Sequence, residues 1–268
     1  MPDASTLTPE DRFIALFLGR SGTGKKVAAC SFPHPIKYLD FDGRIRGLLG
    51  ASWIERKGID YTYYPPIIKG NTVFNKLNDD LGAMLIQSNT GQLPYKTIVL
   101  ASLTGEALTF LGEAAILTHQ GKAGKKIGSL NMPDPNDYNY QSQAMQQVLS
   151  FFRSIPGINF IVTGHLVDRY GLPPGEDNPY AEKVKIGEEL NLTKKLSETL
   201  PAFFDNIVKF SKTEVNGRIQ HYATFRSDMA RTTYKELPNG PVEISDKDFY
   251  QYLMSKIPSI ERKEVTMK

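Results

Sequence analysis

Residues 19–26 read Gly-Arg-Ser-Gly-Thr-Gly-Lys-Lys, directly after an apolar run from Phe13 to Leu18. Few short patterns constrain a fold so tightly. The pattern G-x-x-x-x-G-K-[ST] sits between a strand and a helix, and its backbone N–H groups turn inward to cradle phosphate oxygens. Gly19, Gly24 and Lys25 match it, but Lys26 stands where Ser or Thr supplies the hydroxyl that holds Mg²⁺. Phe13–Leu18 has the length of a strand, and Val27–Phe32 can begin a helix. Gly19, Arg20, Ser21, Gly22, Thr23, Gly24, Lys25 and Lys26 are therefore the expected nucleotide-phosphate site, with Lys25 on the terminal phosphates.

Downstream, apolar runs of strand length alternate with helical periodicity, which predicts an α/β fold with a mostly parallel central sheet flanked by helices. The expected strands are Ile36–Asp42, a short Tyr61–Tyr64, Thr97–Ser102 and Ile158–Thr163. Ile207–Ser211 and Ile219–Phe225 flank Asn216-Gly217 and should pair as a C-terminal hairpin. Helices are expected over Asn71–Gln87, Leu103–His119, Tyr138–Ser154 and Asp246–Ile257. Gly121–Asp137 and Leu166–Asn191 read as long loops, rich in Gly, Lys and Pro or in mixed charge. The expected division is a tail over 1–12, one domain over 13–240, and a helix with a charged tail over 241–268.

A chain of 268 residues, 40% hydrophobic, can bury a sizeable core. No apolar run reaches the length of a transmembrane helix, and Met1–Glu10 lacks the features of a signal peptide. The single cysteine, Cys30, allows no internal disulfide and fits a reducing cytoplasm, where it reads as a small buried residue. A net charge of +3 does not by itself imply nucleic acid, and four scattered histidines offer no metal-ligand spacing.

Several short motifs then follow the loop in order: Leu39-Asp-Phe-Asp-Gly43, Tyr95–Thr104, Pro156–His165, Leu196–Asp205, and Ala230-Arg231 before Leu237-Pro238. In this order the chain resembles the phage-encoded RecA-like P-loop ATPases, the phage nucleotide-binding proteins that include Sak-type single-domain recombinases. The resemblance spans residues 13–240. It implies a RecA-like core, ATP or ADP as ligand, and a role in phage DNA recombination or replication in the host cytoplasm. It also implies an aspartate at the end of the strand over 97–102, where this chain has Ala101. That aspartate binds waters on Mg²⁺ while the loop hydroxyl binds the ion itself. Both protein groups that hold the metal are thus replaced.

Three explanations are open. In the first, the site has decayed while the fold persists. The Lys26 ammonium can instead occupy the place of Mg²⁺ and neutralise phosphate charge, which permits binding but slows hydrolysis. Or Asp40 and Asp42, at i and i+2 on one strand face, supply the missing carboxylate to a metal, with Asp42 beside the phosphates.

His165, just beyond the strand Phe160–Gly164, falls where RecA-like proteins sense the γ-phosphate; it can equally cap a strand end. Arg231, or else Arg226, matches a basic residue that reaches a neighbouring subunit's nucleotide, which requires a homo-oligomer. The expected catalytic set is therefore Lys25, Asp42, His165 and Arg231. Lys122, Lys125 and Lys126 in the first loop, with Lys183, Lys185, Lys194 and Lys195 in or near the second, could contact single-stranded DNA, with Tyr138 and Tyr140 for stacking. Glu176, Asp177, Glu182, Glu188 and Glu189 counter that charge. The rival readings are a non-enzymatic nucleotide-binding scaffold and a small-molecule P-loop kinase, the latter without any recognisable arginine-rich lid.

Overall fold

The apolar run before the phosphate loop is a strand, Ile14–Gly19 (β1), buried along its whole length. Ile14, Leu16 and Leu18 enter one core, while Phe13, Ala15 and Phe17 enter another. A strand covered on both faces requires that alternation of uniformly apolar residues.

The computed structural model describes residues 12–50, 57–65, 72–118, 126–127, 130–131, 133–175, 178, 180–245 and 248–257. After β1 come α1 (Lys25–Ala29), β2 (Ile36–Asp40), β3 (Ile59–Tyr63), α2 (Val73–Asn89), β4 (Thr97–Ala101) and α3 (Leu103–Thr118). Next are β5 (Lys126–Ile127), β6 (Leu130–Asn131), α4 (Pro135–Ser154), β7 (Asn159–Gly171), β8 (Val184–Leu190) and α5 (Lys194–Thr199). The C-terminal part holds β9 (Asn206–Val215), β10 (Arg218–Thr224), β11 (Pro241–Glu243) and α6 (Phe249–Lys256).

The main sheet runs β11-β10-β9-β1-β7-β4-β2-β3, with β8 paired to β7. From β9 to β3 every neighbouring pair on this path is parallel. The β9–β10 pair is an antiparallel hairpin turning at Asn216-Gly217, as its sequence predicts. The α/β class, with its mostly parallel sheet flanked by helices and its C-terminal hairpin, is therefore as expected. The chain leaves β1 toward β2 on one side and returns to β9 on the other, so β1 lies at a switch point, and such sheets bind ligands beyond the strand ends there.

The helices start where side chains replace missing backbone partners. Thr72 accepts from the Asn75 N–H at the head of α2, and Asp134 with Asp137 forms a capping box before Pro135 in α4. α2, α3 and α4 cover one face of the sheet, where Leu77, Leu81, Phe110, Met145 and Leu149 join the first core. α1 and α6 cover the other, where Ala28, Phe249 and Leu253 join the second. β11 extends the sheet, and Ile257 is buried with α6.

Two expectations need correction. Leu166–Asn191 is not a loop: β7 continues past the sheet to Gly171 and turns back as β8, an antiparallel arm in register from Leu166↔Leu190 to Gly171↔Val184. The alternation along Leu166–Gly171 is irregular because the register shifts between Arg169 and Tyr170, and that hid the strand. Within Gly121–Asp137, a short β5–β6 ladder forms and α4 begins at Pro135, ahead of the expected Tyr138. Proline at the first helical position and the Asp134 cap account for the earlier start.

Candidate functional site

Packing explains why the loop needs its glycines. A Cβ on Gly19 would stand 2.4 Å from the Phe210 carbonyl oxygen, so β9 leaves no room for a side chain. Gly24 holds φ 90°, left-handed backbone that other L-residues avoid. Between them Thr23, almost fully buried, donates its hydroxyl to the Arg20 carbonyl at 2.9 Å.

A cavity of about 340 Å³ opens over this loop, lined by Ser21–Val27 with Asp42, Arg44, Gly47, Thr163, His165 and His221. It lies within the size range of small-molecule sites. Lys25 is buried, and its Nζ donates to the carbonyls of Gly19 at 2.7 Å and Arg20 at 2.8 Å. Burial lowers its pKa to about 8; Asp42 opposes that shift and Lys26 adds to it. Lys26 donates from Nζ to the Arg44 carbonyl oxygen. Burial lowers its pKa too, against the attraction of Asp40 and Asp42.

The two aspartates have separate surroundings. Asp40 is the last residue of β2, beside Ala101 of β4 in the parallel register. Its Oδ1 accepts from the N–H groups of Asp42 (3.1 Å) and Gly43 (3.0 Å), and its Oδ2 from that of Ile45 (3.1 Å). Burial raises its pKa, although Lys26 and the amides favour the ionised form. Asp40 thus ties the turn after β2 to its own strand. Asp42 lies beyond the strand, so the two carboxylates do not share a strand face as the i, i+2 spacing suggested. Its Oδ1 accepts from Ser102 Oγ at 2.9 Å, and His165 Nε2 faces its Oδ2 at 3.4 Å. Burial would raise the Asp42 pKa, but the bonds from His165 and Ser102 and the nearby positive charge leave it below the ordinary value.

Of the expected catalytic residues, Lys25, Asp42 and His165 meet at this cavity. His165 lies within β7 rather than past its end, because that strand runs on into the arm. Arg231 is elsewhere: its Nη2 donates to the carbonyls of Pro201 (2.7 Å) and Phe204 (3.2 Å), and its backbone bridges Ile207. Arg226 bonds to Asn239 and Tyr234. Lys122 and Lys125 lie outside the described residues, and Lys126 falls in β5. Lys194 and Lys195 open α5 on the surface. Lys185 is paired with Asp168 at 2.6 Å, so part of the arm's positive charge is already neutralised.

Mg²⁺ fits this donor set poorly. Lys26 stands where the loop pattern has a hydroxyl, Ala101 where the resemblance implies an aspartate, and three backbone N–H groups already donate to Asp40. Asp42 remains, with two ammonium groups lining the same cavity. Among the described residues, no group of three His, Cys, Asp or Glu is placed to hold an ion. The sequence reading missed Ser102, Arg44, Thr163 and His221. Ser102 could have been noticed beside Ala101, whereas His221 reaches the loop only through the hairpin register.

Among the described residues no helix is long and apolar enough to cross a membrane. No protein-family model matches the chain, and no curated protein matches it. Among solved structures it is similar to a KaiC-like protein from the hyperthermophilic archaeon Pyrococcus horikoshii OT3, with a TM-score of 0.45 and 16% identity over 88% of this chain and 90% of that one.

Proposed function

We propose that this protein binds the phosphate chain of an adenine nucleotide, ATP or ADP, through Gly19–Lys26, and that Lys26 supplies the positive charge that a divalent ion supplies in related loops. The observation that carries this reading is the position of Lys26, whose ammonium lines the cavity with Lys25 and Asp42 and is anchored on the Arg44 carbonyl. A tethered cation can neutralise phosphate oxygens, but it cannot impose octahedral geometry on a reacting phosphoryl group. Binding without efficient hydrolysis follows. In that respect the protein acts as a nucleotide-dependent binding or scaffold protein. A role in phage DNA recombination or replication, single-stranded DNA as partner, and assembly into a homo-oligomer with Arg231 at the interface all rest on the family resemblance.

Calorimetry of ATP binding tests the reading, in Mg²⁺ and then in EDTA, for the wild type, Lys26→Met and the double variant Lys26→Thr with Ala101→Asp. The wild type should bind equally in both buffers. Lys26→Met should lose about tenfold in EDTA, close to 1.4 kcal/mol. The double variant should regain affinity only with Mg²⁺. Wild-type binding that requires Mg²⁺, or no binding in either buffer, would overturn it.

A further inference from the structure

The C-terminal hairpin does more than extend the sheet. Its register sets His221 of β10 directly opposite Lys212 of β9, and cross-strand partners project from the same face. That face lies against the phosphate loop. A Cβ on Gly24 would stand 3.5 Å from His221 Nδ1, and one on Gly22 would stand 3.1 Å from Lys212 Nζ. Lys212 lines an adjoining cavity with Gly19, Arg20, Asp168 and Glu188, whereas His221 lines the phosphate cavity itself.

His221 is held firmly. Its N–H donates to Ser245 Oγ at 2.8 Å, and its carbonyl accepts from the Ile244 N–H at 2.8 Å. The ring packs its Cβ–Cγ–Nδ1 edge on Gly24, and Nδ1 is buried with no hydrogen-bond partner among the described residues. Nε2 is not among the buried unpartnered atoms, and His221 lines the phosphate cavity, so Nε2 is the ring nitrogen that can meet a ligand there.

We propose that His221 is a nucleotide-binding residue, an Nε2–H donor to a phosphate oxygen at the Gly24 end of the loop. This rests on the reading of Gly19–Lys26 as a nucleotide site. The site is then assembled from both ends of the chain: β1 and α1 supply the loop, and the hairpin supplies a donor that the loop motif does not encode. A one-residue slip of β10 would turn His221 to the other face and remove it.

The test is calorimetry on the full chain with ATP and with inorganic tripolyphosphate, comparing the wild type, His221→Phe and His221→Gln. Phe keeps a flat ring against Gly24 without a donor, and Gln restores an N–H of similar reach. His221→Phe should lose about tenfold for both ligands, roughly 1.4 kcal/mol, and His221→Gln should stay within about threefold of the wild type. If Phe disrupts folding, the carbon-bound ring protons of His221 still decide by NMR: their signals should shift with tripolyphosphate. Wild-type affinity in a folded His221→Phe protein would overturn the proposal. So would a loss confined to ATP, which would make His221 a nucleoside contact, or ring-proton signals that do not respond. Absence of binding by the wild type is a separate outcome that sinks the nucleotide reading and this assignment with it.

Discussion

Ser102 Oγ donates a 2.9 Å hydrogen bond to Asp42 Oδ1. The carboxylate at the phosphate loop is thus held by the residue next to Ala101, although it arrives from the turn after β2. Asp42 is a depressed acid, so it contributes stability above its unfolded value near 3.8, lost as pH falls through its lower folded value. Ser102→Ala should raise the Asp42 pKa and make the protein unfold at a less acid pH. Carboxyl NMR titration with acid-unfolding curves would reveal it; an unchanged Asp42 titration would mean that Ser102 does not tune this carboxylate.

Lys25 gives a pH dependence of the same sign in a different window, from burial of a cation rather than pairing of an anion. Its folded pKa is about 8 against an ordinary 10.5. Below pH 8 both states carry the charge and the folded state bears the desolvation cost; that cost fades between 8 and 10.5, where only the unfolded lysine is protonated. The free wild type should therefore gain stability relative to Lys25→Met across this window, on the order of 3 kcal/mol. Denaturant melts of the two proteins at each pH measure the difference.

If the proposed nucleotide site is correct, the same shift couples nucleotide binding to a proton. At pH 8 roughly half of Lys25 is neutral, and an anionic phosphate favours the charged form. Binding of ATP should therefore draw about half a proton from solution onto Lys25 at that pH. Calorimetric heats in buffers of different ionisation enthalpy report the number directly, and no buffer dependence would place Lys25 away from the phosphates.

Glu106 on α3 is fully buried, and neither carboxyl oxygen has a partner among the described residues. Burial raises its pKa well above 4.5. Because the folded form holds the proton more tightly, stability from this group falls as pH rises from 4.5 toward the folded value. Glu106→Gln should remove that slope and raise stability at neutral pH by about 1 kcal/mol or more. Thermal melts at pH 5 and pH 8 would show the two proteins converging at the lower pH.

Arg20 joins the loop to the arm through Asp168 and Glu188, and Lys209 pairs with Glu188 at 2.6 Å. Its side chain is 49% exposed, so each pair should contribute no more than about 1 kcal/mol. Glu188→Gln should leave the global melting temperature within about 3 °C while hastening amide exchange along β7 beyond Leu166. Unchanged exchange would mean that backbone pairing alone holds the arm.

What could be read in the residues followed from local rules. The apolar runs placed β1, β2, β4 and the start of β7, and Asn216-Gly217 placed the hairpin, because side-chain periodicity and turn geometry act over a few residues. The arm was not legible: its outer residues have no core on either side, so Val167, Tyr170 and Ile186 stay exposed and the alternation that marks a half-buried strand does not develop.

The sequence by itself determined the loop, its two lysines and the absence of an aspartate at position 101, since these depend only on residue identity and spacing. The tertiary structure decided which groups share the cavity. Sheet order brought Asp42, Ser102 and His165 together from three segments, turned Asp40 into a cap for its own turn, and set His221 on Gly24. Those contacts span many tens of residues. They are fixed by strand register and by the need to satisfy buried polar groups, which no local pattern encodes.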